Sequence, residues 1–177
     1  MVNPCYYDPH RGLHLALIYD LISWTGITDK TVKRKAENLV EFILSRDYQE
    51  HVKPGFGTVK AAPHRYYAMG WSIHVPGWKS PQNHERVAQL MRLMTFFAHF
   101  RTACTSQWFK RSLVWLEGFV KDDGVCWIPK EALRGGALSY WVAGGRIELE
   151  PKPRIYRKRV LEATFRLLVI RKHAFVL

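Results

Sequence analysis

The chain of 177 residues has few cysteines and few acidic side chains. Its three cysteines, Cys5, Cys104 and Cys126, are odd in number and form no CxxC pair. Neither a disulfide framework nor a cysteine-based zinc site is therefore indicated. Asp and Glu total 15 against 27 Lys and Arg, which leaves a net charge of +12. This excess favours anionic partners, such as nucleic acid, phosphorylated small molecules, acidic glycans and anionic membrane surfaces.

Long apolar segments are also lacking. The longest apolar run, residues 13–22, is interrupted by His14 and Asp20 and is shorter than the ~18–20 residues that cross a bilayer. The N-terminus has neither the basic start nor the apolar stretch of a signal peptide. The sequence therefore predicts a cytoplasmic protein without a transmembrane segment.

Common catalytic and cofactor motifs are missing as well. The sequence contains no P-loop, GxGxxG or GxSxG pattern, and no zinc finger, RNP motif or GXXG loop that would identify a nucleic-acid-binding fold. His10 and His14 are four residues apart, a spacing that can hold a metal on a helix, but no acidic ligand sits at HExxH-like positions. We therefore predict no metal and no cofactor.

What is present is a large capacity for burial. Apolar residues make up 47% of the chain, aromatic residues 14%, and seven of these are tryptophans. A chain of this length and composition forms one compact core readily, so we predict a single helical domain over residues 1–177. The basic residues are not confined to one tail, because they recur at 30–35, 110–111, 152–159 and 171–172.

Apolar residues recur every three or four positions in five segments, which predicts a mainly α-helical fold. The first predicted helix covers residues 13–24. The second is capped by Thr28 or Asp29, and the third follows Pro81. The fourth covers residues 108–120 and the last covers residues 157–172. The inner faces are predicted to carry, in the second helix, Val32, Ala36, Leu39, Val40 and Ile43; in the third, Val87, Leu90, Met91, Met94, Phe97 and Phe100; and in the last, Val160, Leu161, Thr164, Leu167 and Leu168. Residues 122–124, Asp-Asp-Gly, are predicted to end the fourth helix, and a short helix or turn is predicted over 129–138.

Residues 52–81 differ from the rest, because prolines and glycines alternate with aromatic side chains there. Prolines and glycines at this density break long helices and predict a long loop. A short helix over residues 66–72 is the alternative within it. Aromatic side chains in a loop need a partner surface, so the segment is expected to pack over the domain or to line a pocket. Imidazoles, a guanidinium and phenols in such a loop can bind an anion and transfer protons. The residues concerned are His64, Arg65, Tyr66, Tyr67, Trp71, His74 and Trp78.

Two stretches resemble a known family. Residues 115–117 (Trp-Leu-Glu), followed by residues 121–127 (Lys-Asp-Asp-Gly-Val-Cys-Trp), resemble the helix and DG-aromatic turn of terpenoid cyclases and protein prenyltransferases, and residues 159–164 resemble a helix opening of the same kind. The resemblance implies an α/α toroid, the (α/α)6 barrel. Because the chain offers about half of a full ring's helices, helical hairpins packed as a partial toroid, an irregular helical bundle and the C-terminal part of a longer toroid all stay open.

The family's catalytic motifs are not carried over. The DxDD acid motif of squalene cyclases is absent. Asp123 and Cys126 do not have the Asp-x-Cys spacing of the prenyltransferase zinc site, so no zinc is implied. Asp122 and Asp123 form a carboxylate pair in which one neighbour can raise the proton affinity of the other.

The leading hypothesis is a toroid-like protein whose cavity, bordered by residues 62–78 and 122–141, binds an anionic or isoprenoid-like ligand. Whether it catalyses a reaction is open. The candidate catalytic residues are His64, Tyr67, His74 and Asp123, and the candidate ligand-binding residues are Arg65, Tyr66, Trp71, Trp78, Trp127, Tyr140 and Trp141.

Two alternatives remain open. One is a basic helical domain that binds nucleic acid, because cations interleaved with an aromatic ring suit phosphate contact and base stacking. The other is a structural or interaction domain without chemistry. The residues of the nucleic-acid hypothesis are Lys152, Arg154, Tyr156, Arg157, Lys158 and Arg159, together with the basic segment 30–35.

Overall fold

The computed structural model describes residues 26–52, 54, 56–129 and 156–176, and this part of the chain is mainly α-helical. The described residues form two compact units, one ending at His74 and one beginning at Val75. The predicted single domain over residues 1–177 stays a prediction, and the predicted helix over 13–24 and most of the predicted element over 129–138 lie outside the described residues. The elements are α1 (Lys30–Ile43), α2 (Arg46–His51), β1 (Phe56–Ala62), β2 (Arg65–Trp71), a 3-10 turn (His84–Arg86), α3 (Val87–Phe97), α4 (Arg101–Thr105), α5 (Gln107–Glu117) and α6 (Tyr156–Val176).

Helix α1 confirms the second predicted helix and decides its cap. Oδ1 of Asp29 accepts a hydrogen bond from the backbone N–H of Val32 at 2.8 Å, which satisfies one of the free donors at the helix start. The predicted inner face is buried at Ala36, Val40 and Ile43. The prediction was wrong for Val32, which is 47% exposed, because the buried positions lie in the later turns of the helix, next to α2.

Helix α2 was not predicted, because six residues are too few to show a helical period. Oγ of Ser45 caps it by accepting from the N–H of Tyr48 at 3.2 Å. The helix fastens the segment that follows the strands, since the N–H of Ile73 donates to the Tyr48 hydroxyl at 3.0 Å and Nε2 of Gln49 donates to the Ile73 carbonyl at 2.8 Å. Burial raises the pKa of Tyr48, so the phenol stays protonated.

The predicted loop over residues 52–81 instead contains an antiparallel hairpin of β1 and β2. The short helix considered for residues 66–72 was wrong, because β2 occupies that stretch, where aromatic side chains favour the pleated conformation. The hairpin turn is made by Pro63 and His64, and His64 has φ of 65°. Proline followed by a residue with positive φ is the pattern of a type II turn.

In the second unit, α3 confirms the third predicted helix. All six residues assigned to its inner face are buried: Val87, Leu90, Met91, Met94, Phe97 and Phe100. The helix packs against α6, and Asn83 caps the preceding 3-10 turn by accepting from the N–H of Glu85 at 2.9 Å.

Helix α5 confirms the fourth predicted helix but ends at Glu117, before the predicted 120. Gly124 has the expected positive φ of 74°, but it does not end the helix. It closes a separate turn, in which its N–H donates to the Lys121 carbonyl at 2.8 Å, and this turn brings Cys126 back against Val120. The prediction placed the Asp-Asp-Gly stretch at the helix end because these residue types suit both a helix end and a separate turn.

Helix α6 confirms the last predicted helix and is longer than predicted. Val160, Ala163, Leu167 and Ile170 form its buried face. Leu161 and Leu168, which were predicted to be inner residues, are 55% and 54% exposed, because this helix carries apolar residues on two opposite faces. No helix in the described ranges is long and apolar enough to span a membrane.

Candidate ligand-binding cavity

The second unit contains a cavity of about 400 Å³ between the segment 77–82 and one face of α5. Three tryptophans and two cationic side chains contribute to its wall. The described lining residues are Gly77, Trp78, Lys79, Ser80, Pro81, Gln82, Trp108, Arg111 and Trp115.

The α5 side of the cavity follows from helical spacing. Trp108, Arg111 and Trp115 are separated by three and four residues, which places them on one face. Trp108 is the anchor of this face, being 2% exposed and packed edge-on against Phe97 with ring centroids 5.7 Å apart. Trp115 is half-buried and Arg111 is exposed, so the wall runs from the core to the solvent.

Hydrogen bonds fasten the other wall to α5. Nε1 of Trp108 donates to the Pro76 carbonyl at 2.7 Å. Nε2 of Gln82 donates to Oγ of the buried Ser112 at 2.8 Å and to the Pro76 carbonyl at 3.3 Å. These bonds tie both ends of the segment to one helix, so the cavity does not depend on loop side chains alone.

Gly77 is required by this arrangement. Its φ is 74°, and a Cβ atom at this position would overlap the amide group of Gln82. A side chain at position 77 would strain the backbone and push the Gln82 amide away from its bonds to Ser112 and Pro76.

The electrostatics of the lining favour an anion. Lys79 and Arg111 are exposed cations, and the nine described lining residues include no carboxylate. Oε1 of Gln82 is buried and has no hydrogen-bond partner within the described residues.

An aromatic cluster continues from the cavity along the protein surface. The rings of Trp115 and Phe119 meet edge-on at 4.8 Å, and the His84 ring lies 5.8 Å from Trp115 and 5.6 Å from Phe119. Trp115 thus links the cavity wall to a small cluster formed by its contacts with His84 and Phe119.

Of the predicted loop residues whose side chains the structure describes, only Trp78 lines this cavity. His64 and Arg65 are exposed at the tip of the hairpin in the first unit, and His74 lies against the Tyr48 ring at 6.0 Å. Tyr66, Tyr67 and Trp71 are in β2, and their side chains lie outside what the structure describes. Tyr140 and Trp141 lie outside the described residues.

Asp123 and Trp127 form a surface turn outside the cavity. The Asp123 carboxylate accepts from the N–H of Val125 at 2.9 Å and from Nε1 of Trp127 at 3.0 Å. These bonds, with the charge of Lys121, lower the pKa of Asp123. Hydrogen bonds favour the ionised carboxylate, so Asp123 does not have the raised proton affinity that was considered for one member of the pair.

The predicted nucleic-acid patch is only partly described. The Tyr156 hydroxyl donates to the Ile128 carbonyl at 2.9 Å and its ring lies 6.5 Å from that of Trp127, so this ring already has a packing role. Arg157 is exposed. Lys152 and Arg154 lie outside the described residues, as do the side chains of Lys158 and Arg159.

Sequence reasoning missed most of the cavity: Lys79, Gln82, Trp108, Arg111 and Trp115 were not among the predicted site residues. Two signals pointed there, namely the basic pair at 110–111 and the place of Trp115 in the stretch that resembles terpenoid cyclases. Comparisons with protein-family models, with curated proteins and with solved structures found no match. Among the described residues, no group of three or more His, Cys, Asp or Glu side chains could hold a metal ion.

Proposed function

We propose that the cavity binds a ligand that joins an apolar, isoprenoid-like body to an anionic group, as a prenyl diphosphate does. One observation carries this proposal: Trp78, Trp108 and Trp115 share one cavity with Lys79 and Arg111. Its volume of about 400 Å³ falls in the range of ~300–1,000 Å³ that small-molecule sites occupy.

The aromatic and the cationic lining residues would make different interactions with the ligand. Trp108 is 2% exposed and donates its N–H to the Pro76 carbonyl, so it supports the wall from the core. The apolar ring surface offered to a ligand belongs mainly to the half-buried Trp78 and Trp115. Arg111 can form two parallel hydrogen bonds to a phosphate or carboxylate, whereas Lys79 acts as a point charge. The expected pose therefore has the apolar body between the tryptophans and the anion at the two exposed cations.

The family resemblance supports the same ligand class. Trp115 belongs both to the stretch that resembles terpenoid cyclases and prenyltransferases and to the cavity wall. A toroid-like arrangement is part of this proposal. The proposal concerns binding, because the described lining residues include no histidine or carboxylate to transfer a proton.

The test is a titration of intrinsic tryptophan fluorescence with farnesyl diphosphate, in parallel with thermal shifts at low and high salt. A ligand that binds only the folded state raises the melting temperature. We expect saturable quenching, and Arg111→Gln should weaken binding about tenfold or more, since a charge-assisted hydrogen bond contributes ~1.5–3 kcal/mol. Lys110→Gln is the matched control, because Lys110 is exposed beside it on α5 and does not line the cavity.

Two other ligands make the test decisive. An acidic oligosaccharide that quenches equally well would keep the anion site and reject the isoprenoid body. A short RNA that alone shifts the melting temperature, and only at low salt, would reject the cavity and favour the nucleic-acid hypothesis, because phosphate-backbone binding falls steeply with salt. Equal affinity of the Arg111→Gln and Lys110→Gln proteins would also contradict the proposal.

A further inference from the structure

Helix α6 has an apolar row on the face opposite its core contacts. Four large side chains are exposed there, spaced by four, three and seven residues, which keeps them on one line of the helix. Their exposed fractions are 55%, 51%, 54% and 73%. We call this row the α6 stripe, and it consists of Leu161, Phe165, Leu168 and Phe175.

Two cationic side chains lie on the same line of the helix as the stripe. Arg157 lies four residues before Leu161, and Lys172 lies four residues after Leu168; both are exposed. By helical spacing both belong to the same line as the stripe. The row therefore carries one cation before Leu161 and a second between Leu168 and Phe175.

No acidic side chain of α6 offsets these charges. Its single acid, Glu162, is 7% exposed and is paired with Arg166 at 3.2 Å. Arg171 is paired with Glu117 of α5 at 2.9 Å, whereas no ion pair of Arg157 or Lys172 is found within the described residues. With a net charge of +12 for the whole chain, the surface around the stripe attracts anions and repels another copy of itself.

The area of the stripe also argues against a protein partner. Four half-exposed Leu and Phe side chains offer roughly 400 Å², about half of the ~800 Å² that each partner contributes to a stable interface. A lipid surface sets no such minimum, because insertion of apolar side chains and attraction of Lys and Arg to anionic headgroups add to each other.

We infer that the α6 stripe is a docking surface for an anionic lipid membrane. Leu161, Phe165, Leu168 and Phe175 enter the boundary between headgroups and acyl chains, and Arg157 and Lys172 contact the anionic headgroups. The stripe spans about 21 Å along the helix at ~1.5 Å per residue, so the helix lies parallel to the membrane plane while its opposite face stays packed on α3. The domain is thereby held at the surface without crossing it.

The experiment is co-sedimentation of the full chain with vesicles of phosphatidylcholine alone and of phosphatidylcholine with one quarter phosphatidylglycerol. We expect binding to the anionic vesicles only. The double variant Phe165→Ser with Leu168→Ser should lower the partition coefficient about tenfold or more, since each loses several buried carbons. Val114→Ser is the matched control, because Val114 is 69% exposed on α5 and lies off the stripe. Circular dichroism melting confirms that each variant is folded.

Several outcomes would overturn the inference. These are no binding of the unchanged chain to anionic vesicles, equal binding to neutral vesicles, and equal loss in the double variant and the Val114→Ser control. Undiminished binding of the double variant would show that charge alone is responsible. A dimer in light scattering that the double variant abolishes would assign the stripe to a second copy, and stripe-dependent capture of soluble poly-glutamate would assign it to an acidic protein.

Discussion

Helices α1 and α6 are both rich in apolar and basic residues, yet they use the two kinds differently. In α1 the apolar residues Ala36, Val40 and Ile43 are buried, three lysines and an arginine are exposed in its first turns, and the exposed apolar residues Val32 and Phe42 are ten positions apart and form no row. In α6 one apolar face is buried and a second one, the α6 stripe, is exposed. A helical period therefore identifies a helix without showing which of its apolar rows faces the core.

Neighbouring leucines in α6 provide the sharpest test of this difference. Leu167 is 2% exposed and Leu168 is 54% exposed. Leu167→Ala should lower the free energy of unfolding by about 3 kcal/mol, because it leaves a cavity in the core. Leu168→Ala should change it by less than about 0.5 kcal/mol, as exposed substitutions do. Urea denaturation of both variants checks this, and equal losses would mean that the stripe is covered by other parts of the folded chain.

The start of α1 gives the next largest effect. Asp29→Ala removes the cap on the Val32 N–H and should cost about 1 kcal/mol in the free energy of unfolding. Asp29→Asn retains a side-chain acceptor and is the control. Thermal unfolding monitored by circular dichroism measures the stability of both variants. If Asp29→Ala does not lower the stability, α1 depends on its packing against α2 and not on its cap.

The smallest expected effect concerns the end of α6. His173 of this helix stacks on His99 with ring centroids 3.8 Å apart, and burial together with the charge of His173 lowers the pKa of His99. The folded state therefore binds fewer protons at His99 than the unfolded state does. This contribution to stability is present above the ordinary histidine pKa of about 6.5 and is lost as the pH falls through the lowered value.

The measurement is the melting temperature between pH 7.5 and 5. We expect it to fall with decreasing pH, and to fall less in His99→Gln, which removes the titrating group. Helix α1 contains no histidine, so hydrogen exchange should show faster opening at low pH in α6 and not in α1. An unchanged slope in the variant would assign the pH dependence to other groups.

Local features of the fold were predictable from the sequence, because they depend on neighbouring residues. The helical period identified α1, α3, α5 and α6, and Asp29 was one of two predicted caps. The hairpin was missed because the prolines and glycines around it suit a loop equally well, and α2 and α4 were missed because they are too short to show a period.

The cavity could not be predicted in the same way, because it depends on distant contacts. Trp78 was predicted as a ligand-binding residue, but its partners Trp108 and Trp115 lie 30 or more positions away on α5. The sequence does not show that the Pro76 carbonyl accepts from both Trp108 and Gln82. The loop and the helix become one site only through these bonds.

The close fit between Gly77 and Gln82 has an evolutionary consequence. Any side chain at position 77 would occupy the space of the Gln82 amide, which itself bonds to Ser112. Descendants of a common ancestor that keep glutamine at position 82 should therefore also keep glycine at position 77. Lineages in which position 77 has changed should have a smaller residue at position 82 and a different cavity wall. The residues at positions 77 and 82 together therefore indicate whether a relative has inherited the binding pocket.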